Sequence, residues 1–317
     1  MMRKLGSMIL SPTDDPLDEN LSRKLKTAGN VGELLRVKRA RYVKRSDWLA
    51  SGPEQQHLFK MHAVDSAAHR RPPVFSKESA AILWGLPLGM VPDQVNVNVP
   101  KLSGHRSSGL VARRCFDPIE SGHWNIDGLA VTGKLQTAVE LALILPMTWA
   151  VAVMDRLLGE QRLPGEQSAA PVSKADVDVV LRRLGTVRAI RRASRVLDFA
   201  DPNSGSPGES ISRVNMHLAG LPPPELQTRH EDRDGLIGIS DFAWKKHRLI
   251  GEFDGMSKYQ DEKYLKGRGA AETIRAEKQR EERLRQAGWT VTRWLWDTAI
   301  SQSALREHLL RAGLPRE

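Results

Sequence analysis

Four acidic residues near the end of the chain, Glu209, Asp241, Glu252 and Asp254, have types and spacings that could hold a hard cation. Three of them fall in the stretch GISDFAWKKHRLIGEFDG, residues 238–255. There two apolar runs, 237–244 and 249–253, flank the polar segment Lys245-Lys246-His247-Arg248. Phe, Trp and Ile flanking a polar turn predict a hairpin. With those four polar residues as the loop, Trp244 pairs with Leu249, Phe242 with Gly251, and Asp241 with Glu252. Side chains alternate along a strand, so Phe242, Trp244, Leu249 and Phe253 share a core face. Asp241, Glu252 and Asp254 share the opposite one. Directly opposed residues on one face have Cβ atoms roughly 5 Å apart, and like charges placed so repel. The cluster is tolerable if one acid is protonated, if Lys or Arg intervenes, or if a divalent ion binds. Mg²⁺, typically held by one or two carboxylates together with waters and a substrate phosphate, fits the last case. The alternative is a solvated sheet face with screened acids.

The elements around the hairpin must bring the remaining groups to it. Ser206-Pro207-Gly208-Glu209 has the form of a capping box, with Ser at the N-cap, Pro at the first helical position and Glu three residues after the Ser. Glu209 therefore either serves the backbone alone or is a fourth acid at the start of a helix over 209–220. After the hairpin a polar connection over 256–270 carries Lys258. A helix over 271–287 follows, closed by Gly288, and then a strand over 289–296. On that helix Ile274, Lys278, Glu281 and Leu284/Arg285 fall on one stripe, which would turn Lys278 toward the acids. The alternative is a lysine that snorkels to solvent.

The remainder of the chain is basic. Its 317 residues carry a formal charge of +10, which favours an anionic partner such as nucleic acid. The stretch RVKRARYVKR contributes six bases, Arg36, Lys38, Arg39, Arg41, Lys44 and Arg45. Leu35, Val37, Tyr42 and Val43 interleave with them, as in a β-ribbon lying along a phosphate backbone; a solvated charge run is the alternative. Residues 74–159 predict a small α+β unit with strands over 94–99, 110–116 and 129–131 and apolar helices on either side of Pro146. A linker over 161–171 and an arginine-rich helix over 177–199 lead to a break at 201–208. The single cysteine, Cys115, leaves no intrachain disulfide and suits a reducing, cytoplasmic setting. The longest apolar run, 141–154, is too short and too broken by Pro146 to span a bilayer, so no membrane partner is expected.

The order Glu209, Asp241 on one strand, Glu252-Phe253-Asp254 on the next, then helix, Gly288-Trp289 and strand, resembles the PD-(D/E)XK nuclease superfamily. It is most similar to the branch akin to very-short-patch-repair endonucleases, over residues 205–297. The earlier part, with RVKRARYV, SAAILWGL and GLAVT–AVELAL, resembles AbiEi-type antitoxins and regulators. These resemblances imply an α/β (α+β) chain in three parts. The first is a truncated winged-helix-like basic region over 1–50, the second an α+β regulator-like domain over 51–200. The third, over 201–317, is a restriction-endonuclease-like αβββαβ domain. They imply a metal-dependent endodeoxyribonuclease with Glu209, Asp241, Glu252 and Asp254 in the site and Mg²⁺ (or Mn²⁺) bound by Asp241 and Glu252, and a phage-defence or toxin–antitoxin setting with a cognate partner. The superfamily's lysine, two residues after the second acid, is here Asp254; Lys278, Lys258 or Arg280 would supply the positive charge at DNA phosphates and in the transition state. The rival readings are a catalytically silent DNA-binding antitoxin or transcriptional regulator, an RNA-directed enzyme, and a protein–protein module.

Overall fold

The computed structural model describes residues 3–15, 18–68, 71–99, 107, 109–114, 122–159, 172–184, 186–255 and 270–316. Cys115, the linker over 161–171 and Lys258 lie outside the described residues. The architecture is mixed α+β with three sheets. Two compact units divide the chain. One takes Met1–Leu143 and Lys174–Arg191, and the other takes Ile144–Arg162 and Arg192–Glu317.

The first unit begins with α1 (Arg3–Gly6) and α2 (Leu21–Asn30), followed by β1 (Leu34–Lys38), β2 (Arg41–Lys44), α3 (Arg45–Leu49) and α4 (Pro53–Asp65). β1 and β2 form the expected antiparallel ribbon, with Leu35 opposite Val43 and Arg36 opposite Tyr42. Leu10 adds a bridge to Tyr42 on the other edge of β2. The ribbon's apolar residues are anchored rather than free, since Val43 is buried in one cluster with Ile9, Phe59 and Ala63.

Next come β3 (Val74–Phe75), α5 (Lys77–Trp84), β4 (Val95–Asn98), β5 (Val111–Arg114), β6 (Trp124–Ile126), β7 (Leu129–Val131) and α6 (Lys134–Ile144). The five strands lie in the order β5-β4-β3-β7-β6. This unit buries polar groups. His57 and Glu140 are paired, while the buried Ser76 hydroxyl has no hydrogen-bond partner among the described residues. His57 Nδ1 donates to Pro92 O at 3.0 Å, so its Nε2 accepts from Ser79 Oγ at 2.8 Å. Burial pushes the His57 imidazole down to about 4, which keeps the ring neutral. Glu140 on α6 accepts from Gln136 Nε2 at 2.7 Å and from the Lys77 backbone N–H at 3.2 Å.

The single helix expected over 177–199 is two helices, α8 (Lys174–Leu184) and α9 (Val187–Phe199). Thr186 lies at the start of α9. The Thr186 hydroxyl accepts the Ala189 N–H at 3.4 Å, and its carbonyl accepts the Ile190 N–H at 2.8 Å. A hydroxyl residue starting a helix in this way satisfies donors that have no intrahelical partner.

The second unit contains α7 (Met147–Leu158), α10 (Pro207–Leu218), β8 (Glu225–Asp232), β9 (Gly235–Trp244) and β10 (Leu249–Phe253). After these come α11 (Ala270–Gln286), β11 (Thr290–Trp294), α12 (Trp296–Ala299) and α13 (Gln302–Arg311). The expected boundary at 201 falls inside this unit, because α7 is tied to α10 by the buried pair Asp155–Arg213 at 2.8 Å. The sheet order is β11-β10-β9-β8. β8, β9 and β10 are antiparallel neighbours, and β11 runs parallel to β10. A parallel neighbour needs a crossover, and α11 supplies it. From α10 to β11 the element order is αβββαβ.

Two of the three expected hairpin pairs form, Trp244 opposite Leu249 and Phe242 opposite Gly251, and the ladder ends before the third, Asp241 with Glu252. Lys245–His247 makes one 3₁₀ turn, and Arg248 closes the loop at φ 50°. Phe242, Trp244, Leu249, Phe253 and Trp294 form one core with Met216, Leu305 and Leu309. On the other face Ile237 and Ile250 pack against Leu284 of α11.

Candidate functional site

One glycine lets α10 approach the end of β10. A Cβ on Gly208 would lie 2.1 Å from ring carbons of Phe253, so only glycine lets the first turn of α10 meet the end of β10. Ser206 caps that turn, its Oγ accepting the Glu209 N–H at 3.3 Å. The Glu209 carboxylate does not close the box on Ser206 itself. Its Oε2 accepts from the Gly205 N–H at 2.8 Å and from Gln227 Nε2 at 3.1 Å.

Gln227 is a non-glycine residue at φ 45°, a backbone region few side chains adopt. The β8–β9 ladder runs from Leu226–Phe242 to Thr228–Ser240 and passes over the Gln227 and Asp241 positions. Asp241, released from that ladder, points its Oδ2 at the Phe253 N–H, 2.8 Å away. It therefore holds the end of β10 where the β9–β10 ladder has stopped at Gly251. Asp254 follows, half-buried, with its N–H on Trp294 O at 2.9 Å.

Glu252 is buried, with 8% exposure, and faces two guanidiniums. Arg280 of α11 reaches its Oε1 at 2.5 Å, and Arg293 of β11 reaches its Oε2 at 2.9 Å. Burial pushes the Glu252 carboxyl up, but the bonds and charge of Arg280 and Arg293 outweigh it and hold the group below the usual range. The pairing continues outward. Arg293 binds Glu281 at 2.8 Å and Glu277 at 2.5 Å, Arg280 binds Glu277 at 3.0 Å, and Arg285 binds Glu281 at 2.5 Å. Here too a glycine makes room, since a Cβ on Gly238 would lie 2.6 Å from Arg280 Nε.

The structure thus brings Glu209, Asp241, Glu252 and Arg280 into one end of the sheet and leaves Lys278 outside it. Lys278 is exposed; the α11 stripe facing the sheet runs through Arg280, Arg283 and Leu284 instead. Arg283 there binds Asp232 at 2.6 Å. In the ribbon, Arg36, Arg39, Lys44 and Arg45 are exposed and Lys38 is half-buried. Arg41 departs from the expectation of a phosphate-facing side chain. It is buried and donates to Ser66 Oγ at 2.8 Å and to Ala40 O at 2.9 Å.

Two residues of the site, Gln227 and Arg293, were not singled out from the sequence. ELQTRHED alternates Leu226, Thr228 and His230 with Glu225, Gln227, Arg229 and Glu231, and Asp232-Arg233-Asp234-Gly235 follows as a turn; that signal marks β8. Arg293 sits in the apolar run WTVTRWLW, where a lone arginine implies a buried partner.

No known protein-family profile matches the chain. Two curated relatives, the uncharacterised proteins Rv2248 and MT2308 of two Mycobacterium tuberculosis strains (H37Rv and CDC 1551 / Oshkosh), are each 30% identical over 166 residues, 52% of this chain. The matched part spans 55% of each relative, so the chain covers about half the length of the curated relatives it matches. Among solved structures, the crystal structure of the M. tuberculosis RV2827C protein is 14% identical, covering 67% of this chain and 78% of that one at a TM-score of 0.37.

The arrangement does not suit the divalent ion that the acids suggest. Both oxygens of Glu252 are taken by guanidiniums, and two positive charges within hydrogen-bond reach oppose a third cation there. Glu209 and Asp241 are each committed to a backbone N–H. Among the described residues no group of three His, Cys, Asp or Glu side chains is placed to hold a metal. Nor is any helix among them long and apolar enough to cross a membrane.

Proposed function

We propose that this protein binds DNA as an antitoxin-like or transcriptional regulator in the cytoplasm, using a nuclease-like αβββαβ unit whose acids hold the fold together. The observation that carries the binding is the exposure of Arg36, Arg39, Lys44 and Arg45 on and beside a ribbon whose apolar residues are buried in clusters on both of its faces. Phosphate contacts of this kind position a protein on the duplex and make affinity steeply salt-dependent. The absence of catalysis in this reading rests on Glu252, which Arg280 and Arg293 neutralise. A cognate toxin or defence partner belongs to the same reading.

The test is fluorescence anisotropy of a labelled duplex titrated with protein across a salt series. Removing Arg36 and Arg39 together should reduce the slope of log K against log salt by about two units. An unchanged slope would reassign the ribbon to solvent.

The second reading is Mg²⁺- or Mn²⁺-dependent phosphodiester hydrolysis, favoured by the convergence of Glu209, Asp241 and Glu252 at one end of the sheet. Incubating plasmid with protein and either ion, beside Asp241→Asn, separates the two readings. Cleavage by the native protein that the variant lacks would replace the first reading with the second.

A further inference from the structure

We infer that α9 is a second phosphate-tracking surface, a helix face built to lie along the backbone of duplex DNA. Ala193, Val196 and Leu197 of this helix are buried, and they fix its roll. At 100° per residue, Arg188, Arg191, Arg192 and Arg195 then share an arc roughly 100° wide on the opposite side. All four are exposed. Residues three or four apart on a helix stand about 5–6 Å from one another, and like charges so placed destabilise the helix. Among the described residues none of the four forms an ion pair with an acid. Arg192 donates to Leu145 O at 2.5 Å, a neutral acceptor that leaves its charge in place. The stripe therefore repels itself in the free protein, and a row of anions relieves it.

The chemistry of the face selects among anionic partners. A membrane-surface helix inserts an apolar face between lipids, and here the apolar face is already buried in the fold. Single strands are held by stacking on aromatic side chains, and the exposed stripe has none. What remains is a line of guanidiniums about 10 Å long, counting 1.5 Å per residue from Arg188 to Arg195. Phosphates of a duplex backbone match it, since guanidinium pairs bidentately with phosphate. The inference rests on the DNA-binding reading above but uses none of the ribbon's residues.

The experiment compares the full chain, a triple variant Arg188→Gln/Arg191→Gln/Arg195→Gln, the matching triple lysine variant, and Arg36→Ala/Arg39→Ala. Arg192 is kept because it holds a carbonyl. Circular dichroism and Tm confirm folding, and a labelled duplex is titrated from 50 to 300 mM salt. The glutamine triple should lower the salt slope by about 2.7 units, at about 0.9 per phosphate contact, and the lysine triple should restore most of it. A native slope in the glutamine triple, with a reduced slope in the ribbon variant, would overturn the inference and leave the DNA reading standing. No duplex binding by the native chain would overturn both. Vesicles containing phosphatidylserine form the last arm. Stripe-dependent binding to them with an unaltered DNA slope would give the face to lipid and overturn the inference.

Discussion

Arg280 Nη2 lies 2.5 Å from Glu252 Oε1, while Arg293 Nε holds the other oxygen of the same carboxylate at 2.9 Å. One buried acid thereby joins the crossover helix α11 to both parallel strands, β10 and β11. Removing one partner of a buried pair leaves an uncompensated charge, so Glu252→Ala should cost about 3 kcal/mol, the low end of the range for such losses. Equilibrium urea unfolding measures it. A loss under about 0.5 kcal/mol would mean that the pairs are solvent-screened like surface ones.

The same carboxyl sets an acid limit. Its folded pKa is depressed below the ordinary value of 4.5, so folding favours the ionised form. The stabilisation is complete above about 4.5 and is lost as pH falls through the lower folded value. Urea midpoints taken from pH 7 down to 3 should fall more steeply in the native chain than in Glu252→Gln. Parallel profiles would show that other carboxylates govern acid unfolding.

Glu140 behaves in the opposite sense. Burial pushes its carboxyl up to about 7, and the bonds from Gln136 and Lys77 offset only part of that. Folding therefore favours the protonated form. This contribution is present below about 4.5 and disappears as pH rises through about 7, a change on the order of 3 kcal/mol at ~1.4 kcal/mol per pH unit. Glu140→Gln removes the charge and leaves one acceptor oxygen for two donors, so its stability relative to the native chain should rise between pH 4.5 and pH 8. Thermal melts at both values check it; a difference that stays constant would show that Glu140 is not the group that titrates.

Asp241 and divalent ions can be separated by melting. If Asp241 only holds the Phe253 N–H, Asp241→Ala leaves that donor unpaired at a cost of about 1–3 kcal/mol. Asp241→Asn, whose amide oxygen still accepts, loses less. Millimolar Mg²⁺ and EDTA should then give the native chain one Tm. Ion at ten times its Kd would instead add about 1.4 kcal/mol, and a Tm rise lost in Asp241→Asn would support the hydrolysis reading.

Glu209→Gln should leave Tm within about 2 °C, because glutamine also serves at this helix position and its oxygen can accept from Gly205 and Gln227. Glu209→Ala should lower stability by about 1 kcal/mol, as lost caps do. Differential scanning calorimetry distinguishes them, and equal losses in both would assign the carboxylate's charge a role beyond capping.

The sequence by itself determined the local elements and their faces. Alternation placed Phe242, Trp244, Leu249 and Phe253 on one side of the hairpin, and the four-residue polar loop fixed its register. Ser206-Pro207 started α10, and Gly288 ended α11. These are short-range matters, decided by backbone geometry within a few residues. Only the tertiary structure decided what the charges do. Helical spacing points to Lys278 as the inward cation of α11, but the helix turns Arg280 inward because Gly238 leaves a gap for it. Arg293 meets Glu252 only because β11 pairs in parallel with β10, a long-range choice that no local pattern encodes. Gln227 reaches Glu209 from a left-handed backbone position that its residue type does not announce. Arg41 looked like its neighbours in a basic run and is buried, because the ribbon's two sides are distinguished by what packs beneath them. A charged side chain's partner depends on distances between segments far apart in the chain, and those exist only after folding.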